Sequence, residues 1–375
     1  MLKLKSIFYT IVCAALLSAC SDGPKGPDDD PNDNPVEGGD VVGFYILNEG
    51  NWGQNKASLD YFSYEDNKYT ANIYATRNPG TVLGLGDVGN DIAEYNGRIY
   101  AVINGSNKVE IIDAATAERI GQVNIDNCRN IAFDGNYAYV SSFVGGEGDC
   151  GSVTRFDLTT LSLSGSVSVG KQPEEIVISN GYLYVANSGQ FQAPDYDRTI
   201  TVVRLSDFTY YGSIDVAINM HHLRIDDDGN LWVTSRGNYA DVPSNIYKLP
   251  KVGDNTFGAP KALDVPCTNL ALNDGKVYFY GTTYDENWNA TYNYGVIDCA
   301  TAKIQPQSFI TDGTEKSLAA PYGIAVQPST GDIILTDARN YVSSGQVRCY
   351  SSEGKLLWTN TAGDIPGHIA FVKEK

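Results

Sequence analysis

An apolar triplet followed by a tight turn and a Tyr/Val-rich strand recurs along this chain, and that recurrence limits the fold more than any other feature. The triplets are Ile92-Ala93-Glu94, Ile131-Ala132-Phe133, Ile176-Val177-Ile178, Leu223-Arg224-Ile225, Leu270-Ala271-Leu272, Ile324-Ala325-Val326 and Ile369-Ala370-Phe371. Their starts are separated by 39, 45, 47, 47, 54 and 45 residues. A period of about 40–50 residues holding four short strands describes propeller blades rather than a solenoid or a sandwich. The turns Asn96-Gly97, Gly135-Asn136, Asn180-Gly181, Gly229-Asn230, Asp274-Gly275 and Gly331-Asp332 follow six of the triplets. Gly, Asn and Asp tolerate the positive φ that two-residue hairpins need.

The seventh triplet has no room for three further strands before Lys375, whereas Phe44-Tyr45-Ile46-Leu47 reads as a second strand with no first strand ahead of it. The two ends should therefore share a blade. The expected fold is all-β, a seven-bladed β-propeller over residues 42–375, closed by pairing of its N- and C-terminal strands so that no inner edge is left open. Tyr100, Tyr139, Tyr184, Trp232 and Tyr278 fall in second strands and are expected in the core.

The residues ahead of the propeller carry their own signals. Lys3 and Lys5 precede an apolar run from Ile7 to Leu17, too short to span a bilayer and suited to a secretory signal over residues 1–19. Leu17-Ser18-Ala19-Cys20 resembles the bacterial lipobox, which implies cleavage before Cys20 and its acylation; the alternative is an ordinary signal peptide with a chance cysteine. Several acyl chains on one residue anchor firmly where a single chain does not. Residues 20–41 form an acidic, Pro-containing segment with almost no apolar content, expected as a disordered tether. The formal charge of −18 speaks against nucleic acid, whose phosphates require a basic surface.

In a four-stranded meander the connections between second and third strands, and those leading to the next blade, emerge at one end. The former are long: 48–57, 143–151, 187–198, 236–245, 282–294 and 338–345. Binding residues collect on loops held by a rigid frame, so this face is the expected working one. It carries Trp52, Arg236, Tyr239, Trp288, Tyr292, Arg339 and Tyr341 on the long loops, and Arg129, His221, His222, Tyr322 and His368 on the connections beside the axis. Aromatic rings beside amides and guanidiniums suit a large, neutral, partly flat ligand; the alternative is that the rings pack on one another. All three histidines lie here, either as ligand contacts or as satisfied structural groups, and no carboxylate spacing supports a metal site. Cys128 and Cys150 map to the same end of one blade, where a disulfide is expected in an oxidising compartment, while Cys267, Cys299 and Cys349 lack evident partners. No nucleophile elbow, phosphate loop or carboxylate pair tied to a His marks an enzyme, although a lyase using His222 or His368 as base stays open.

Tyr184-Val185-Ala186-Asn187-Ser188-Gly189 with Thr201-Val202-Val203, and Pro173 or Pro321 ahead of the first strand, resemble the repeat of YncE-type β-propellers over residues of about 43 to 372. The opening Leu47-Asn48-Glu49-Gly50-Asn51-Trp52-Gly53, behind a lipobox and acidic tether, is similar to surface lipoproteins of the BtuG type in Bacteroidota. That resemblance implies an outer-membrane, surface-exposed lipoprotein that binds cobalamin or a related corrinoid as its ligand, without a cofactor of its own. It also implies transfer of the ligand to a TonB-dependent transporter. A glycan ligand, or a propeller acting purely as an interaction module, are the other readings of the same face.

Overall fold

The apolar triplets lie on seven strands that converge on one axis. A computed structural model describes residues 40–374; the signal segment, Cys20 and nearly all of the tether lie outside the described residues. The seven axial strands are Gly89–Tyr95, Cys128–Asp134, Pro173–Ser179, Met220–Ile225, Asn269–Asn273, Pro321–Val326 and Pro366–Lys373. Each is the first strand of a four-stranded antiparallel sheet. Six sheets run outward in chain order. The seventh is built from Pro366–Lys373, then Val41–Asn48, Ser58–Ser63 and Lys68–Thr70, which is the closure expected from the unpaired ends. Its N-terminal strand begins at Val41, inside the segment assigned to the tether.

Packing explains the repeat. In five of the seven triplets a small middle residue pairs with a tyrosine on the second strand: Ala93 with Tyr100, Ala132 with Tyr139, Val177 with Tyr184, Ala271 with Tyr278 and Ala370 with Tyr45. Strands crowd near the axis and diverge outward, so a small residue inside and an aromatic one row out fill the wedge. These second-strand rings are buried as expected. Each blade interface has its own apolar cluster. Tyr100 and Val102 meet Ile131 and Val140 between the first and second blades, and Tyr45 and Leu47 meet Ile92 and Ile99 across the closure. The joint made from the two chain ends is thus packed like the others.

The turns bear out the chemistry read from them. Asn96 and Gly97 have φ of 53° and 73°, and Asn180 and Gly181 have 49° and 76°, as a primed hairpin turn requires.

Other features depart from expectation. Residues 282–294 are not an irregular loop: strands Lys276–Tyr284 and Ala290–Asp298 pair along their whole length and lift a five-residue turn above the face. A small hairpin, Lys251–Gly253 with Thr256–Phe257, is inserted in the fourth blade, and a short helix, Ile73–Arg77, precedes the first. The expected Cys128–Cys150 disulfide is absent, since both thiols are free. Cys128 is buried in the apolar cluster between the first two blades, with Sγ 3.4 Å from the Lys108 carbonyl, whereas Cys150 sits part-exposed on a loop. Lying at the same end of a blade does not make two side chains face each other.

Candidate ligand-binding site

The long loops and the connections between blades meet on one face, as their hydrogen bonds show. The Asn51 side-chain amide donates to the Tyr341 carbonyl at 2.5 Å, and the backbone N–H groups of Gly53 and Asn55 donate to the Asp87 carboxylate at 2.8 and 3.0 Å. Phe143 packs edge-on to Phe191 and Tyr322 to Tyr341. The result is an aromatic rim around a polar floor.

Tyr341 packs on Tyr322 and Trp288 on Tyr284, yet the rim rings keep much of their area in solvent. Trp52 is 73% exposed, Trp288 72%, Tyr239 61% and Tyr341 44%. Tyr239, Trp288 and Tyr341 also have positive φ, at 58°, 62° and 60°, as does Arg339 at 56°. Bulky residues avoid this left-handed region, and holding one there costs of order 1–3 kcal/mol. Short polar side chains hold the backbone in place. Asn238 Oδ1 accepts from the N–H groups of Ala240 and Val242. Asp285 Oδ1 accepts from Asn287 and Asn289, and Asn340 Oδ1 from Val342 and Ser343. Each aromatic residue is therefore held outward on a braced turn. Tyr292 differs, because it is half-buried and its hydroxyl donates to the Ala319 carbonyl at 2.7 Å.

The floor is made by a recurring irregularity. Six of the seven axial strands carry a register shift just ahead of their triplet, at Gly89/Asp91, Cys128/Ile131, Pro173/Ile176, Met220/Leu223, Pro321/Ile324 and in the pairing of Pro366–Lys373 with Leu47/Asn48. A bulge re-aims side chains, and here it gathers the two residues before each triplet around the axis. These include Asn90 and Asp91, Arg129, Glu174 and Glu175, His221 and His222, Tyr322, and His368. Of these, Asn90, Asp91, Glu175, His221, His222 and His368 line a central cavity of about 90 Å³ to which all seven blades contribute. A water needs roughly 10–15 Å³ of such space, so the cavity admits small groups and a large ligand must lie over its mouth.

Ion pairs lock the floor across blades. Glu174 accepts from Arg129 Nη2 at 2.9 Å and from Arg236 Nη1 at 3.1 Å, and Arg129 also bonds Asn90 and lies 4.5 Å over the Phe143 ring. Glu175 Oε2 accepts from the Leu223 N–H at 2.7 Å, pairs with Arg224 and lies 3.2 Å from His222 Nδ1. Burial alone would raise Glu175, but Arg224 and His222 together outweigh it and hold the carboxyl at about 2. With Glu175 ionised, His222 Nδ1 is the donor, and burial keeps that imidazole neutral by lowering its pKa. Burial and the nearby Arg236 push His221 further down. His368 goes the other way: burial would lower it, but its bond to Glu49 at 3.3 Å and the charges of Glu49, Asp91 and Glu175 together raise it. Asp91 is raised to about 6 by burial. Among the described residues, no group of three or more His, Cys, Asp and Glu is arranged to hold a metal ion.

The structure thus brings together Arg129, His221, His222, Arg236, Tyr322 and His368 on the floor, and Trp52, Tyr239, Trp288, Tyr292, Arg339 and Tyr341 on the rim. Sequence reasoning passed over Asn90, Asp91, Glu49 and Arg224. The signal for Asn90 and Asp91 was available, since they occupy the same two positions before a triplet as Glu174 and Glu175. Glu49 and Arg224 find their partners only through the ring geometry.

The family model described as a domain of unknown function, DUF5074, matches residues 42–361. The comparison with curated proteins gives no significant match. Among solved structures the chain is similar to a quinonprotein alcohol dehydrogenase-like protein from Bacteroides thetaiotaomicron, at 17% identity and TM-score 0.61, covering 89% of this chain and 79% of that one. It is also similar to the periplasmic gluconolactonase of Pseudomonas aeruginosa, at 12% identity and TM-score 0.58, covering 88% and 99%. A functionally unknown protein from Desulfotomaculum acetoxidans gives 11% identity and TM-score 0.61, covering 89% and 99%. At such identities these likenesses speak for the propeller fold alone. The match across most of its length places the chain in the DUF5074 family of domains of unknown function.

Proposed function

We propose that this protein is a lipid-anchored, surface-exposed outer-membrane protein that binds cobalamin or a related corrinoid across its loop face and passes it to a TonB-dependent transporter. The observation that carries the reading is the rim: large rings turned to solvent, three of them on left-handed backbone, on the face of an axial cavity too small to hold the ligand. A fold gains nothing in stability from exposing rings on strained turns, so their use lies in binding. A flat, amide-bearing macrocycle offers apolar area to the rings and acceptors to Asn, Gln and Arg side chains of the loops. Affinity then comes from a few central aromatic anchors, and because the ligand is nearly neutral it depends weakly on salt.

The anchor and the address rest on Cys20 and the acidic segment after it. The reading is of binding rather than catalysis: His222 and Glu175 make an oriented imidazole and carboxylate, but that carboxylate is already committed to Arg224 and the Leu223 N–H.

Isothermal titration of the purified full chain with cyanocobalamin tests the proposal. One-to-one binding is expected, and no heat at micromolar protein rejects it. Retention on a polysaccharide affinity gel in the absence of corrinoid heat would transfer the same rim to a glycan.

A further inference from the structure

Three histidines stand near the axis, and two of them are tied down. His222 is fixed through Nδ1 by Glu175, and His368 through Nε2 by Glu49. The guanidiniums of Arg129 and Arg236 are committed to Glu174. His221 alone of this set has no hydrogen bond and no ion pair with any described residue. It lines the axial cavity and is held by ring contact with His222, their centroids 3.9 Å apart. The ring is part-exposed and its nitrogens are not among the buried atoms left without a partner, so they stay open to a group that comes over the cavity.

A macrocycle resting on the rim lays its centre over the axis, so whatever it carries there faces this cavity. We propose that His221 supplies an axial imidazole ligand to the cobalt of a corrinoid seated on the rim. This rests on the corrinoid reading given above. The step is a ligand substitution: the bond from Co(III) to an axial water breaks, the imidazole lone pair forms a Co–N bond, and the water leaves as a neutral molecule. Cobalt keeps its oxidation state, and no proton moves because the imidazole enters neutral. The other ring N–H is left to water, for which the cavity has room. His222, pinned by Glu175, acts as a positioning residue that fixes the plane of its neighbour.

The test uses the full chain and two probes. Aquacobalamin carries an exchangeable axial water, and its visible absorption bands are expected to shift on binding. Cyanocobalamin carries a cyanide that does not exchange, and it should bind with its spectrum unchanged. His221→Ala and, as a variant closer in size, His221→Gln are expected to bind aquacobalamin without the shift, and free imidazole added to His221→Ala should restore it. A wild-type complex that gives binding heat with unshifted aquacobalamin bands overturns the assignment while leaving corrinoid binding intact. So does a shift that persists in both variants. Absence of heat with every corrinoid overturns the binding reading and this assignment together.

Discussion

Glu49 Oε1 lies 3.3 Å from His368 Nε2, joining residues 319 positions apart at the mouth of the channel. The pair bridges the two chain ends that make the closing blade. His368 is raised in the folded state because Glu49, with Asp91 and Glu175, outweighs the cost of burial. A histidine raised on folding contributes stability that is fully present below its unfolded pKa and is lost as pH rises through the folded one. Neutral His221 and His222 impose the opposite slope, so the test is a difference: the gap in urea midpoint between wild type and His368→Gln should be largest near pH 6 and shrink as pH rises through the histidine range.

Glu175 has the opposite sign. Its carboxyl is held at about 2 against the ordinary 4.5 of a glutamate, so its contribution is present above pH 4.5 and disappears as pH falls towards 2. Glu175→Gln leaves Arg224 without its buried partner and is expected to cost on the order of 3 kcal/mol at neutral pH. Denaturant unfolding at neutral and acid pH checks both parts: the difference between wild type and variant should shrink on acidification.

Two buried tyrosines should respond differently to loss of their hydroxyls. Tyr45 donates to the Ala114 carbonyl at 2.9 Å, whereas the Tyr184 hydroxyl is buried with no partner among the described residues. Tyr45→Phe should cost about 1 kcal/mol, and Tyr184→Phe should be neutral or stabilising, because a buried polar atom without a partner is a liability. Unfolding midpoints of the two variants, measured side by side, decide this.

The cysteines allow a chemical check of the corrected disulfide. Cys128 is fully buried and its thiol is pushed up to about 12, while Cys150 is part-exposed. An alkylating reagent should label Cys150 in the native protein and reach Cys128, Cys267, Cys299 and Cys349 only after unfolding. Mass analysis of the labelled peptides shows whether it does.

The rim turns separate binding from stability. Tyr239→Gly removes a ring from a residue at φ 58°, a conformation glycine adopts freely. Its thermal midpoint should not fall, whereas affinity for a rim ligand should drop by about 1–3 kcal/mol if the ring is a central anchor. A variant that loses stability instead would mark Tyr239 as a packing residue.

Much of the frame was legible in the residues because short-range rules govern it. Turn pairs such as Asn180-Gly181 and second-strand rings such as Tyr139 act locally and recur, and the unpaired strand at Phe44 implied the closure. The floor was half legible. Arg129, His221 and His368 could be placed beside the axis, but the bulges that aim them arise from pairing with the neighbouring strand. The links from Glu174 to Arg236 and from Glu49 to His368 arise from the ring itself. The braces under Tyr239, Trp288 and Tyr341 were missed for another reason: Asn238, Asp285 and Asn340 read as ordinary loop polarity until their acceptor bonds are seen. The Cys128–Cys150 pairing failed because strand ends fix position and not side-chain direction.

The account turns on the exposed rings being the docking surface. Calorimetric titration of cyanocobalamin into wild type and into the combined Trp52→Ala, Tyr239→Ala and Trp288→Ala variant is the most direct test. One-to-one binding that weakens at least a hundredfold in a variant with an unchanged thermal midpoint is the predicted result. Equal affinity in the two proteins would contradict it.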